Sequence, residues 1–287
     1  AYQEHNDDGT PLNLWDPLGD LTLEDKDWGD VSKTRQVLER AIAALPKQFD
    51  DYLFGYGADL GARDPFALTI RAFSPTDGLR RFFHVFSFEK RRMYPTTIAE
   101  MLIGKEAAEK ARRSEVYDEL GGLFGLTGWP VAAVADLAGL GEMILDELEK
   151  TYGIKFKPAV KADKPGAIAV GNGDFNDARS FVLGGSPLEA QYASLQWKPD
   201  EYGIPKEDKA ASNHSADSDT YLRTELGTLF SAPADQPAAT KEGDRPAVPH
   251  PSQKPPKKPA PSKKSDPWGD KPVGGKRKGE YNALLRG

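Results

Sequence analysis

The chain has 287 residues, no cysteine and a formal net charge of −6 at pH 7, which excludes disulfides and thiolate metal sites and points to one or two domains. Residues 231–287 hold 11 of the 23 prolines, and their twelve Lys/Arg against six Asp/Glu give +6, leaving −12 on residues 1–230. A body this acidic excludes nucleic-acid binding by bulk charge, so any DNA contact must come from local basic patches, metal ions or the tail.

The segment 231–287 has only four residues of the Val/Leu/Ile/Phe class, Val248, Val273, Leu284 and Leu285. It cannot bury enough apolar surface to offset its ordering entropy, so a disordered, basic, Pro/Lys-rich tail is expected. No apolar run reaches the roughly 18 residues of a membrane span, and no secretory signal is present; no membrane partner is expected. The chain begins at Ala1, as a processed protein or a piece of a longer one would.

Residues 1–48 read as an acidic N-terminal segment followed by a helix. Trp15 and Trp28 are the residues able to pin the segment to the body. Asp30 is an N-cap for a stripe of Val31, Leu38, Ile42 and Leu45 that stops at Pro46. Residues 49–230 form the expected domain. DYLFGYGAD (51–59), FALTIRAF (66–73) and LRRFFHVFSFEK (79–90) are three strands joined by breaker-rich turns, an antiparallel meander. Residues 96–126 read as two helices.

Val131 to Ala135 is a short continuous apolar run, as in a strand covered on both faces. It ends in Asp136. A glycine-containing turn follows, then Leu140, Met143, Ile144 and Leu148 at helical spacing, with Gly153 as the C-terminal cap. Residues 156–160 form a short strand parallel to the first part of this unit. Residues 164–178 are helical, interrupted by Gly171 and Gly173, and 179–183 is another strand. Ser186-Pro187 opens a helix with Leu188, Tyr192 and Leu195 on one side. The last helix runs over 213–230.

Three antiparallel strands, then helix, strand, helix, strand and helices make a mixed α/β sheet with one antiparallel edge. This order resembles the ribonuclease-H-like fold. Three acids stand out by position: Asp59 at the end of the first strand, Asp136 at the end of the fourth and Asp217 near the start of the last helix. In open α/β sheets, ligands collect at the carboxyl ends of strands; Asp136 also suits a plain helix cap. The first and fourth strands are neighbours in a ribonuclease-H-like sheet, and the last helix crosses it. Converging carboxylates repel unless cations hold them. Hard divalent ions, Mg²⁺ or Mn²⁺, suit such donors, and two of them support in-line phosphodiester hydrolysis by water.

Four stretches carry a closer resemblance: GADLGARDPFAL (57–68), VADLAGLGEMILDEL (134–148), KPGAIAVGNGDFNDARSFVLGGSPLEAQYASLQW (164–197) and NHSADSDTY (213–221). In this order they resemble the nuclease domain of the large terminase subunit of tailed bacteriophages. The resemblance implies Asp59, Asp136 and Asp217 as metal ligands and catalytic residues, with two Mg²⁺ or Mn²⁺ ions. It implies endonucleolytic cutting of concatemeric double-stranded phage DNA during packaging in the host cytoplasm. The implied partners are a terminase ATPase motor, a small terminase subunit and a portal, with residues 1–48 as a linker to the motor. No G-x-x-x-x-G-K-[ST] motif is present, and Ser218 stands where the family usually has Ala.

The competing readings are a junction resolvase or other nuclease of the same superfamily, a catalytically silent packaging adaptor, and an actin-like kinase, for which the chain lacks a second Gly-rich phosphate loop. Asp64 is an extra ligand or a turn residue, and His214 a phosphate or metal contact or a helix-entry hydrogen bond. Lys90, Arg91 and Arg92 form a DNA contact or a solvated charge run, and the tail lysines bind DNA or solubilise. On the last helix two arguments disagree. Asp219 lies on the stripe of Leu222, Leu226 and Leu229, so periodicity aims it at the sheet. The family pattern picks Asp217, with His214 and Tyr221 on its face, and burying a carboxylate inside an apolar stripe is costly. Asp217 is therefore the expected ligand.

Overall fold

The computed structural model describes residues 3–5, 11–60, 65–137, 141–161, 164–195, 197–199, 205–207 and 213–231. The expected disordered tail, Asp64 and the turn at 138–140 lie outside the described residues.

The strands are β1 (Gln3–His5), β2 (Pro11–Trp15), β3 (Leu53–Leu60), β4 (Phe66–Phe73), β5 (Phe82–Lys90), β6 (Ala132–Ala135), β7 (Lys157–Pro158), β8 (Ser180–Leu183), β9 (Trp197–Pro199) and β10 (Pro205–Glu207). The helices are α1 (Val31–Ala44), α2 (Pro95–Ile103), α3 (Lys105–Arg112), α4 (Phe124–Thr127), α5 (Gly141–Tyr152), α6 (Lys164–Asn176), α7 (Pro187–Ser194) and α8 (His214–Ser231). Eight strands form one sheet in the order β1-β2-β8-β5-β4-β3-β6-β7, and β9 and β10 pair separately. The expected meander is present: β3 pairs antiparallel with β4, and β4 with β5. β6 runs parallel to β3, and β7 parallel to β6.

Alternation along the meander sets the two faces. Tyr56, Ala58, Leu60, Leu68, Ile70, Phe86 and Phe88 pack into the main core with residues of α1, α2 and α5. The other face is small and polar: Gly55, Gly57, Asp59, Thr69, Arg71, Ser87 and Glu89. α8 lies against it, with Leu222 and Leu226 packed on Ala132 and Val134. Contact is close because Gly57 has no side chain; a Cβ there would sit 2.1 Å from the Ser218 carbonyl oxygen.

Several sequence expectations are corrected. The antiparallel pair is not an edge, because β8 lies parallel to β5 and β2 parallel to β8; a bare β5 would present a row of unpaired backbone groups. The N-terminal segment thus supplies strands of the same sheet, and Trp15 Nε1 donates to the His84 carbonyl at 2.9 Å. Residues 96–126 hold three helices rather than two. α5 buries Leu145, Leu148 and Tyr152, whereas Met143 is 68% exposed. α6 continues through Gly171 and Gly173, and Gly171 accommodates Arg223, whose guanidinium a Cβ would strike at 2.1 Å.

Candidate functional site

β3 and β6 place two acids side by side. Ala58 is in register with Ala135, and the Asp136 N–H donates to the Ala58 carbonyl at 3.1 Å. Asp59 and Asp136 therefore occupy the next pair of positions, on one face, one strand spacing apart, roughly 4.8 Å. In the same row, Asp59 faces Ala67 and Ala67 faces Glu89. All these side chains point to the α8 side.

α8 brings the third acid. His214 Nδ1–H donates to Asp59 Oδ2 at 2.9 Å, tying the first turn to the tip of β3. Asp217 follows one turn later, accepting from Asn213 Nδ2 at 3.2 Å. Cations hold two of the carboxylates: Lys161 Nζ pairs with Asp136 Oδ2, and Lys164 Nζ lies 2.6 Å from Asp217 Oδ1. Lys161 also sits 5.4 Å from the centre of the Tyr221 ring, one turn beyond Asp217 on α8. The structure thus places Asp59, Asp136 and Asp217 at one end and on one face of the sheet. Among the described residues, no three His, Asp or Glu side chains are gathered closely enough to hold a metal ion as they stand. The donor set itself, three carboxylates from three elements, fits a hard divalent cation. The ammonium groups on two of them show that this space already accommodates positive charge.

On α8 the periodicity argument gives the direction of Asp219 correctly, and the cost expected for burying that carboxylate is met by paired cations. Asp219 does point at the sheet and is fully buried. It meets Arg71 in the middle of β4, with Nε to Oδ1 at 2.5 Å and Nη2 to Oδ2 at 2.9 Å. The Tyr192 hydroxyl donates to Oδ2 at 2.6 Å. Arg223 approaches the same oxygen at 3.2 Å, its guanidinium 5.6 and 5.8 Å from the Phe175 and Tyr192 ring centres. Burial alone would push the Asp219 carboxyl up, but the charge and hydrogen bonds of Arg71 outweigh it and hold the group to about 2. Asp219 is a structural anchor for α8. His84, beside this pair, is driven down to about 3 by burial and by the Arg71 charge. The Leu183 N–H donates to its Nδ1 at 3.3 Å, so the neutral ring carries its proton on Nε2, toward Ser87 Oγ at 3.0 Å.

In the sequence Glu89 is only the penultimate residue of a strand. Its Oε1 accepts from Ser215 N–H at 3.2 Å, Ser215 Oγ at 2.5 Å and Gln191 Nε2 at 2.6 Å. It thereby grips the first turn of α8, where backbone N–H groups lack helical partners. The departure at Ser218 is accommodated locally: its hydroxyl donates to the Ser215 carbonyl at 2.9 Å and to Thr69 Oγ1 at 3.2 Å. Lys90, Arg91 and Arg92 are exposed at the site's end of the sheet, since Lys90 faces Phe66 and Phe66 faces Leu60.

The run β5-β4-β3-β6-β7, flanked by helices on both faces, is a mixed α/β sheet in the strand order expected of a ribonuclease-H-like fold. No protein-family model matches the chain, and no curated protein matches it. The chain is similar to solved structures of large terminase nucleases. One is the large terminase nuclease domain from bacteriophage SPP1 with bound Mn, at 16% identity and TM-score 0.42, covering 75% of this chain and 96% of that one. The large terminase nuclease from thermophilic phage G20c is 16% identical with TM-score 0.44, covering 62% and 83%. A large terminase from a second thermophilic bacteriophage is also 16% identical with TM-score 0.44, and 41% of that longer chain is covered against 63% of this one. At such identities the likeness concerns fold, and the chemistry has to stand on this chain's own residues.

Proposed function

We propose that this chain is a metal-dependent DNA endonuclease of the large terminase type, with Asp59, Asp136 and Asp217 as metal ligands. The observation that carries the reading is the row of strand ends that sets Asp59 beside Asp136, with α8 laying His214 and Asp217 on the same face. Two Mg²⁺ or Mn²⁺ ions bound there would supply the charge that activates water and stabilises the leaving oxygen. The protein's own part is orientation. His214 fixes the Asp59 carboxylate, and Glu89 together with the Arg71–Asp219 pair fixes α8. Lys90, Arg91 and Arg92 offer exposed positive charge for the DNA backbone, whose contacts set register rather than sequence. Concatemeric double-stranded phage DNA is the proposed substrate. The proposed setting is packaging in the host cytoplasm with an ATPase motor, a small terminase subunit and a portal.

Plasmid incubated with the protein and Mn²⁺ should be nicked and linearised, and chelator should stop it. Asp136→Asn should reduce cutting to background while the far-UV dichroism spectrum is unchanged. Cutting that persists in chelator or in Asp136→Asn overturns the assignment; binding of plasmid without any cutting in either metal favours a silent packaging adaptor.

A further inference from the structure

Two lysines on one short stretch of chain reach the acids. Lys161 follows β7 and pairs with Asp136; Lys164 opens α6 and pairs with Asp217. Both stay partly in solvent, with side chains 44% and 30% exposed, so each long stem can swing away without exposing a core. They are unlike the buried Arg71, which is wholly enclosed and held by two carboxylate oxygens and Ser180 Oγ.

Resting on the metal-nuclease reading, we propose that Lys161 and Lys164 are resident counter-cations that metal ions must displace, and that they thereby set the site's affinity for divalent ions. Among the described residues, these three carboxylates and two ammonium groups sum to a charge of about −1, counting His214 as neutral. Without the lysines the same cluster carries about −3 and repels itself. Two divalent ions bring about +4, so ions and ammonium groups together would leave a strong excess of positive charge. The two kinds of cation compete for the same oxygens. The resident pair holds the acids together without metal, and lowers the free energy gained when metal binds.

The test is Mn²⁺ titration calorimetry on wild type, on the double variant Lys161→Gln/Lys164→Gln, and on Lys150→Gln. Lys150 pairs with Asp146 on the exposed side of α5, so this last variant controls for loss of a paired surface ammonium group away from the site, one charge against the double variant's two. The double variant should bind Mn²⁺ about tenfold or more tightly than wild type, and Lys150→Gln should bind like wild type. In chelator the double variant should melt at a lower temperature, and Mn²⁺ should raise its melting temperature by more than it raises that of wild type. Equal or weaker Mn²⁺ binding by the double variant, in a wild type that binds Mn²⁺ and cuts plasmid, overturns the displacement idea and leaves the nuclease reading standing. Absence of Mn²⁺ binding in every form overturns both.

Discussion

Two aspartates two residues apart on α8 live in opposite worlds. Asp219 faces the middle of the sheet, is fully buried and is neutralised by an arginine that cannot leave. Asp217 lies half a turn away, at the open end of the helix, with a 16% exposed side chain and a lysine that can. The first kind of charge is committed to holding the fold, because removing one partner would strand a bare charge in the core. The second kind is exchangeable, because water can replace the lysine at small cost. A helix that carries both can be rigid and still offer a ligand.

Substitution on the two sides should separate these roles. Arg71→Met should destabilise the fold by roughly 3 kcal/mol, since it removes the two-pronged partner of the buried Asp219 and leaves it only Arg223 and the Tyr192 hydroxyl; urea denaturation measures this without reference to metal. Asp217→Asn should change stability by less than about 1 kcal/mol while removing Mn²⁺-dependent cutting. If Asp217→Asn unfolds the protein as Arg71→Met does, the contrast between the two aspartates fails. Asp219→Ala belongs with Arg71→Met: activity lost there would follow loss of fold, not loss of a ligand.

Acid should break the buried side next. His84 binds its proton far less readily folded than unfolded, being held to about 3 rather than the usual 6.5. It faces Arg71 and Asp219 across the sheet, with Ser87 and the Leu183 N–H on its ring nitrogens. Between these values the unfolded chain takes up the extra proton, so stability falls as pH drops through that window and is insensitive to His84 above it. The depressed Asp219 carboxyl adds a further loss below its ordinary 3.8, continuing to about 2. His84→Gln should flatten the upper part of the curve, measured as melting temperature against pH, and leave the steep fall at the acid end.

The smallest effect is expected at Glu89. Glu89→Gln keeps the hydrogen-bond acceptor but removes its charge from the first turn of α8, a loss of about 1 kcal/mol or less. Its signature would be a cutting rate reduced by misplacement of His214 and Asp217 and partly restored by higher Mn²⁺. A rate unchanged from wild type would show that the acceptor oxygen of residue 89, and not its charge, is what places the helix.

The elements that carry strong local patterns were legible in the sequence. The meander, β6 with Asp136 at its end, and Leu222 and Leu226 of the α8 stripe follow from alternation and spacing, though Leu229 is exposed, and Asp30 is the N-cap it reads as. The candidate site was legible only as positions, since strand ends and helix starts can be counted. What failed depends on long-range pairing. Arg71 inside FALTIRAF looked like one member of an alternation, although a lone arginine at mid-strand signals a buried acid partner. Asp219 on an apolar stripe was the other half of that signal, and the two lie 148 residues apart. Glu89 became visible only once register placed it in the row with Asp59. Helical spacing links Leu140, Met143, Ile144 and Leu148, whereas the buried line of α5 runs through Leu145, Leu148 and Tyr152 and leaves Met143 exposed. Lys161 precedes α6 and Lys164 is its first residue, and no apolar periodicity marks either one.

The missing side chain at Gly57 bears on manufacture of the site rather than on its chemistry. Where two elements are separated by side chains, their spacing inherits the tolerance of rotamers and drifts when neighbours mutate. Here main chain rests on main chain, with the Ser218 carbonyl directly over β3. The gap between the strand that carries Asp59 and the helix that carries Asp217 is therefore set by van der Waals contact between two main chains, as a machinist's gauge block sets a gap.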